Sequence, residues 1–167
     1  DHLLTKVQVK AGDFFYVPSG TMHAIGKGIL ILETQQSSDT TYRVYDFDRK
    51  DDHGNLRELH IDKSIDVLNF GAPENTTAVV TETSNLIKTS YVSNAFFTVE
   101  KWEISGLAKF DKTAAYTLCS ILDGQGTLTV AGEAYPVKKG DHFILTSDIV
   151  SWELDGQLMI IASHDGE

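Results

Sequence analysis

Short apolar segments alternate with turn-forming residues along most of the chain. The segments are rich in Val, Ile, Thr, Tyr and Phe, which are favoured on the half-buried surface of a β-sheet. The predicted strands are residues 7–9, 14–17, 29–33, 42–45, 96–104, 116–122, 127–130 and 158–162. Glycines within residues 123–126 and 131–132 predict hairpin turns between them. The pattern predicts an all-β sandwich or barrel.

Helical periodicity is convincing in one place, residues 62–70. The residues of its predicted face are Ile61, Ile65, Leu68 and Asn69. Gly71 and Pro73 follow, which is a normal end for a helix. The sequence therefore predicts one short helix in an otherwise β-rich chain.

A change of composition divides the chain. Residues 71–75 are rich in Gly, Pro, Glu and Asn and predict a linker between two domains, residues 1–74 and 75–167. Both halves contain a similar phrase, VKAGDFF at residues 9–15 and VKKGDHF at residues 137–143. Such a repeat predicts two copies of one β unit.

Composition narrows the class of protein. Hydrophobic residues make up 41% of the 167, enough for a sizeable core, but no apolar run approaches the roughly 20 residues of a membrane-spanning helix. The net charge of −10 disfavours nucleic acid and anionic membranes as partners. One cysteine, Cys119, excludes an internal disulfide and a thiolate-rich zinc site, and favours a reducing, cytoplasmic compartment. The start, Asp-His-Leu, has neither methionine nor a signal segment, and we expect a fragment.

One histidine stands in a defined frame. Residues 12–23 follow the pattern G-x5-P-x-G-x2-H, in which Pro18 ends a strand, Gly20 permits a bend and His23 begins the next strand. We expect the bend to aim His23 into a barrel. The other five histidines lack such a frame, and we expect them to be surface residues or satisfied hydrogen-bond partners.

This frame resembles the second conserved motif of the cupin superfamily, whose histidine is usually a metal ligand. Its one departure is Lys27, where many cupins have asparagine. Downstream, residues 31–49 are similar to the type I mannose-6-phosphate isomerases, particularly the short bacterial form. The matching residues are Glu33, Ser38, Asp39 and Arg43. The resemblance covers residues 4–70 and continues more loosely beyond them.

The second copy lacks the metal histidine. Alignment of Gly140 with Gly12 places Ser151 at the position of His23. Residues 119–132 have the glycines of the first cupin motif but none of its histidines. The resemblance therefore implies cupin (jelly-roll) units, the first incomplete and the second degenerate, with the short helix between them.

The resemblance also implies a reaction, the reversible isomerisation of mannose 6-phosphate and fructose 6-phosphate through an enediol. By resemblance His23 is a zinc ligand and Arg43 the catalytic arginine, while Arg49 and Asp39 are substrate-binding candidates. A Lewis-acid metal and an arginine suit this chemistry, because both offset negative charge on an enediolate. The residues alone leave open that Arg43 forms a structural ion pair with Asp39 or Asp46.

In this family zinc is also held by a Gln-x-His pair and a glutamate from an earlier motif, which the sequence does not contain. We therefore expect the isolated chain to be an inactive C-terminal portion that binds Zn2+ weakly and self-associates through its incomplete first barrel. The alternative is a non-catalytic cupin module that binds a sugar or stabilises another chain. A dioxygenase-type cupin would need a facial ligand set that the sequence lacks.

Overall fold

The structure is a computed structural model that describes residues 4–38, 40–71 and 76–166. The chain divides into two compact units, Asp1–Asn75 and Thr76–Glu167. Among the described residues, the first unit holds helix α1 (Ile61–Val67) and the second holds eight β-strands. Most of the predicted linker, residues 72–75, lies outside the described residues.

The second unit is an antiparallel β-sheet. Its strands are β1 (Val79–Glu82), β2 (Leu86–Ser93), β3 (Phe97–Ser105), β4 (Ala108–Asp111), β5 (Thr117–Val130), β6 (Glu133–Lys138), β7 (His142–Leu145) and β8 (Ser151–Asp165). The order of hydrogen-bonded strands is β1-β2-β3-β8-β5-β6, with β4 paired to β8 and β7 paired to β5. The prediction of a mainly antiparallel β protein with one short helix is confirmed.

The core of this unit lies on one side of its long strands. Leu158 and Ile160 of β8 are buried, while the residues that alternate with them are more exposed, as the two-residue period of a strand requires. Three aromatic rings stack within the core. The ring centroids of Trp102 and Phe110 are 4.6 Å apart, and those of Phe110 and Trp152 are 5.6 Å apart.

The hairpin predicted at residues 123–126 is wrong. Residues 116–122 and 127–130 were predicted as separate strands, but they lie almost entirely in the single 14-residue strand β5. The pairing of β5 with β8 shifts register between Ile121 and Asp123. Gly124 and Gly126 therefore lie just after a bulge, in a continuous strand, and do not form a turn.

Gly124 shows why glycine is needed inside this strand. Its φ is +86°, and a Cβ atom built on it would lie 1.9 Å from the carbonyl oxygen of Gln157 in β8. The positive φ and the close approach both exclude a side chain. The other predicted turn is confirmed, because Ala131 and Gly132 have positive φ between β5 and β6.

The strands predicted in the first half are not formed. The segments that lie outside β-strands are residues 7–9, 14–17, 29–33 and 42–45. Strand pairing needs a neighbouring segment that bonds to the backbone N–H and C=O groups. Within the described part of the first unit, the β-pairing is an isolated bridge between Lys50 and Leu56. Side-chain pattern alone therefore did not decide strand formation here.

Helix α1 is shorter than residues 62–70 because the backbone at Leu68 is extended. Its buried residue is Ser64, whose Oγ donates a hydrogen bond to the carbonyl oxygen of His60 at 2.7 Å. Ile61 and Ile65, predicted to form an apolar face, are exposed. No helix within the described ranges has the length and apolarity to cross a membrane.

Candidate functional site

The repeated phrase forms the same turn in both units. In the first unit the Asp13 carboxylate accepts a hydrogen bond from the Lys10 amide at 3.0 Å, and in the second Asp141 accepts one from Lys138 at 2.9 Å. The glycine before each aspartate has a positive φ, +91° and +89° respectively. A short carboxylate that bonds to a nearby amide is a local device, so both copies form it.

A second turn follows at the same spacing in each unit. The Thr21 amide donates to the Pro18 carbonyl at 3.1 Å, and the corresponding Ile149 amide donates to the Thr146 carbonyl at 3.0 Å. In the second unit this turn leads into β8. The two hydrogen-bonded turns that precede His23 therefore repeat the turns that precede β8, although the segments beside them in the first unit are not strands.

One ring nitrogen of His23 is hydrogen-bonded, and the other is placed to accept a further bond. The side chain is exposed, and its Nδ1 lies 2.9 Å from the carbonyl oxygen of Thr21. Because a carbonyl oxygen only accepts, the proton of the neutral ring is on Nδ1 and the lone pair is on Nε2. Metal-binding histidines are commonly oriented in this way by their second nitrogen. His23 thus fits the role of a single metal ligand.

His23 does not stand in a complete ligand set here. Among residues 4–38, 40–71 and 76–166, no group of three or more His, Cys, Asp or Glu side chains is arranged to hold a metal ion.

Asn69 holds the turn that precedes His23. Its amide donates to the Gly20 carbonyl at 3.0 Å, and its Nδ2 donates to the Ser19 carbonyl at 3.0 Å. A Cβ atom on Gly20 would lie 2.5 Å from the carbonyl oxygen of Val67, the last residue of α1. Gly20 therefore permits the turn to pack against the C-terminal end of the helix.

Arg43 is held by His60 at the other end of the helix. The Arg43 amide donates to His60 Nδ1 at 3.2 Å, and the His60 amide donates to the Arg43 carbonyl at 2.7 Å. Since Nδ1 accepts, the proton of the neutral ring is on Nε2, which lies 3.9 Å from the Glu58 carboxylate. The Tyr42 ring is tilted beside His60, with centroids 6.0 Å apart. His60 is thus a satisfied residue that fixes the backbone of Arg43.

Asp46 binds an arginine that the sequence analysis missed. Arg57 donates to both carboxylate oxygens of Asp46, from Nε at 2.5 Å and from Nη2. These hydrogen bonds hold the pKa of the Asp46 carboxyl below its ordinary value; desolvation opposes this effect, and the positive charges of Arg57, Arg49 and Arg43 add to it. Asp46 was a possible ion-pair partner of Arg43, but its hydrogen-bonded partner is Arg57.

Of the two predicted substrate-binding residues, Arg49 is described and Asp39 lies outside the described residues. The Arg49 guanidinium carbon lies 5.8 Å from the centroid of the Phe47 ring, and its amide donates to the Asp46 carbonyl at 3.0 Å. Arg49 is exposed, so its charge remains available to an anion.

The sequence motif around His23 did not reveal the hydrogen bonds that Asn69 and Arg57 make to distant residues. The Asn69 side chain bonds to a residue 50 positions away, and Arg57 bonds to one 11 positions away. Asn69 had been placed on the apolar face of the predicted helix, but it lies beyond the helix and its amide group is used for hydrogen bonds. No local signal distinguishes such residues from ordinary polar ones.

Comparison with known proteins identifies the second unit as a cupin. Residues 87–165 match the family described as "Mannose-6-phosphate isomerase, cupin domain". The fold also matches the crystal structure of the mannose 6-phosphate isomerase from Bacillus subtilis with a TM-score of 0.72 and 34% identity, over 76% of this chain and 41% of that one.

Curated relatives extend the likeness to the first unit. The mannose-6-phosphate isomerase of Streptococcus mutans is 65% identical over 167 residues, which are 100% of this chain and 53% of that protein. Mannose-6-phosphate isomerase ManA of Bacillus subtilis is 49% identical over 165 residues, 98% of this chain and 52% of that protein. The chain is therefore similar to mannose-6-phosphate isomerases along its length. It spans about half the length of the curated relatives it matches.

Proposed function

We propose that this chain is the C-terminal portion of a mannose-6-phosphate isomerase, which interconverts mannose 6-phosphate and fructose 6-phosphate. The observation that carries the proposal is the 65% identity over every residue of the chain with a protein of that name. The local geometry supports it, because His23 has one ring nitrogen bonded to a carbonyl and the other available for a metal.

The isomerisation moves a proton between C1 and C2 of the sugar and builds negative charge on an enediolate oxygen. Zinc would supply Lewis acidity toward the sugar oxygens when bound. Nε2 of His23 would provide one of its ligands, and the others would come from parts of the isomerase outside the described residues. Arg43 would stabilise the enediolate charge, since a guanidinium placed where negative charge develops offsets that charge.

Arg49 and Asp39 are the proposed contacts to the sugar phosphate. A guanidinium binds phosphate oxygens well because its N–H groups match them in geometry and charge. Arg49 is exposed, and its positive charge, like those of Arg57 and Arg43, helps to lower the pKa of the Asp46 carboxyl. A small anionic sugar, and not nucleic acid or a membrane, is the partner proposed for a cytoplasmic enzyme of this kind.

The second unit has a different proposed role, structural support without metal. Ser151 replaces the histidine at the start of β8, and the next residue, Trp152, is buried in the aromatic stack with Trp102 and Phe110. This observation favours the non-catalytic alternative for this unit alone.

Apolar side chains of the first unit favour self-association of the isolated chain. Leu30 is 98% exposed, whereas Leu158, at the corresponding position of the repeat, is 4% exposed. Leu32 is 44% exposed, and the corresponding Ile160 is fully buried. Exposed apolar surface of this kind is normally covered. We propose that the rest of the isomerase covers it in the whole protein, and that a second copy does so in the isolated chain.

Three variants of the whole isomerase test the site. Loss of zinc and turnover together is expected for His23→Ala, because a ligand is removed. Arg43→Ala should keep zinc and lose turnover. Ser151→Ala, at the equivalent position of the second unit, is the matched control and should keep both. Zinc is measured after dialysis and turnover by a coupled assay with mannose 6-phosphate. Wild-type rates in Arg43→Ala would show that the catalytic assignment is wrong.

The isolated chain tests the proposed fragment behaviour. Catalytic zinc sites use about three protein ligands, and one histidine does not supply comparable affinity. We expect no turnover, substoichiometric zinc after dialysis, and a sedimentation coefficient that rises with concentration. Stoichiometric zinc with turnover in this chain would contradict the proposed ligand set.

A further inference from the structure

Helix α1 is bonded at its two ends to the two segments that carry the proposed active-site residues. His60, immediately before the helix, holds the backbone of Arg43, and Asn69, just beyond it, holds the turn that presents His23. We propose that His60 and Asn69 are positioning residues, and that α1 is a strut that sets the placement of Arg43 relative to His23. This inference rests on the proposed function.

The chain between His23 and Arg43 does not set their separation by itself. Its described residues form neither helix nor strand. Such a connection is compatible with many end-to-end distances. Helix α1, with seven residues and a rise of about 1.5 Å per residue, spans a defined length. Bonds to its two ends therefore supply a constraint that the connecting chain lacks.

At the N-terminal end of α1, the hydrogen bonding between His60 and Arg43 is reciprocal and specific. The amide and the carbonyl of Arg43 are both used, one by the His60 ring and one by the His60 backbone, at 3.2 and 2.7 Å. The ring is half-buried, so solvent competes less well for its Nδ1 acceptor. A side chain without an acceptor at that position would leave the Arg43 amide unsatisfied and the arginine backbone free to shift.

The Asn69 end depends on an amide donor. Nδ2 donates to the Ser19 carbonyl, while the backbone amide donates to Gly20. Two bonds to consecutive carbonyls fix the orientation of the turn as well as its position. His23 follows that turn directly, and its Nδ1 bonds within it to Thr21. The direction of Nε2 thus depends on the turn that Asn69 holds.

Substitutions of His60 and Asn69, at the two ends of α1, should cause different defects in the whole isomerase. His60→Leu removes the acceptor and should lower kcat about 10–100-fold with KM and zinc content unchanged, the range typical of lost supporting hydrogen bonds. His60→Asn, whose Oδ1 can accept the Arg43 amide, should recover most of the rate. Asn69→Asp is isosteric but cannot donate to the Ser19 carbonyl, and should weaken zinc binding about 10–100-fold.

A second readout does not depend on activity. In the metal-free protein, hydrogen exchange should accelerate at the Arg43 amide in His60→Leu and at the Thr21 amide in Asn69→Asp. Asp66→Asn, an exposed change on the same helix, is the matched control and should alter none of these quantities.

The proposal is overturned if His60→Asn is no better than His60→Leu, or if Asn69→Asp binds zinc as tightly as the wild type. The proposal would also be overturned if each variant lost rate and zinc affinity to the same extent, and only in proportion to its fall in unfolding temperature. Failure of the proposed function is distinguishable, because then the wild-type protein would not turn over mannose 6-phosphate, or His23→Ala and Arg43→Ala would themselves retain turnover. If those two lose turnover while His60→Leu and Asn69→Asp do not, the positioning role alone is wrong.

Discussion

The indole nitrogen of Trp102 donates a hydrogen bond to the Glu100 carboxylate at 2.9 Å in the interior of the second unit. The other carboxylate oxygen lies 2.8 Å from Nζ of Lys88 on the adjacent strand. A buried carboxylate is costly unless it is paired and hydrogen-bonded, and here both oxygens have a partner. Glu100 therefore ties the aromatic stack to β2.

Replacement of Glu100 should destabilise the second unit. Glu100→Ala leaves the buried Trp102 N–H without its acceptor and Lys88 without its ion-pair partner, and the free energy of unfolding should fall by about 1–3 kcal/mol. Urea unfolding followed by tryptophan fluorescence measures it, since both tryptophans lie in this unit. Glu103→Ala is the matched control, because Glu103 pairs with Lys101 in a more exposed position, and should change stability by less than about 1 kcal/mol. Equal losses would contradict the buried-pair account.

Alanine substitutions at Gly124 and Gly140 distinguish the cost of a steric clash from the cost of backbone strain. Both have a positive φ, but a Cβ atom on Gly140 would meet nothing within 4 Å, whereas on Gly124 it would lie 1.9 Å from the Gln157 oxygen. Gly140→Ala should cost about 1–2 kcal/mol from strain alone. Gly124→Ala must also displace β8 and should cost on the order of 3 kcal/mol or more. Similar urea midpoints for the two variants would show that the strands separate without cost.

The Cys119 thiol should be inert in the native protein. Burial raises its pKa to about 12. The ordinary thiol pKa is about 8.5. At a pH below the ordinary pKa, the thiol keeps its proton in both the folded and the unfolded state. At a pH between the two pKa values, the thiol loses its proton in the unfolded state only. Ionisation then favours the unfolded state, so Cys119 lowers the stability of the fold as pH rises.

Two measurements check the Cys119 prediction. Iodoacetamide at pH 8 should modify the protein only on unfolding. The urea midpoint should fall less between pH 7.5 and pH 10 in Cys119→Ala than in the wild type. Rapid alkylation of the native chain would show that the thiol is accessible.

The Asp46–Arg57 pair should stabilise the first unit at neutral pH. The Arg57 hydrogen bonds are the largest cause of the lowered Asp46 pKa. Because the pKa of Asp46 is lower in the folded state, the pair contributes stability at a pH above the pKa of the unfolded state, about 3.9. That contribution is lost as the pH falls through the pKa of the folded state. In carboxyl-detected NMR titration, Arg57→Gln should raise the Asp46 pKa more than Arg49→Gln does. The reverse order would show that charge, and not the hydrogen bonds, dominates.

Local chemistry was predictable from the sequence. The turns at Gly12 and Gly140 form alike because a glycine and a neighbouring aspartate suffice for them, whatever surrounds the chain. The turn at Ala131 and Gly132 and the β-rich character of the second half have the same origin in local propensity. The frame around His23 was recognisable because its proline and glycine act on neighbouring residues.

Contacts between distant residues were decided by the tertiary structure alone. The glycines of residues 123–126 resemble a hairpin turn in sequence, but the neighbouring strand β8 makes them part of one continuous strand. Whether strand-like segments pair depends on a neighbour that their own residues do not encode. The same holds for Asn69 on Ser19 and His60 on Arg43, since a hydrogen bond between remote segments exists only once packing has brought them together.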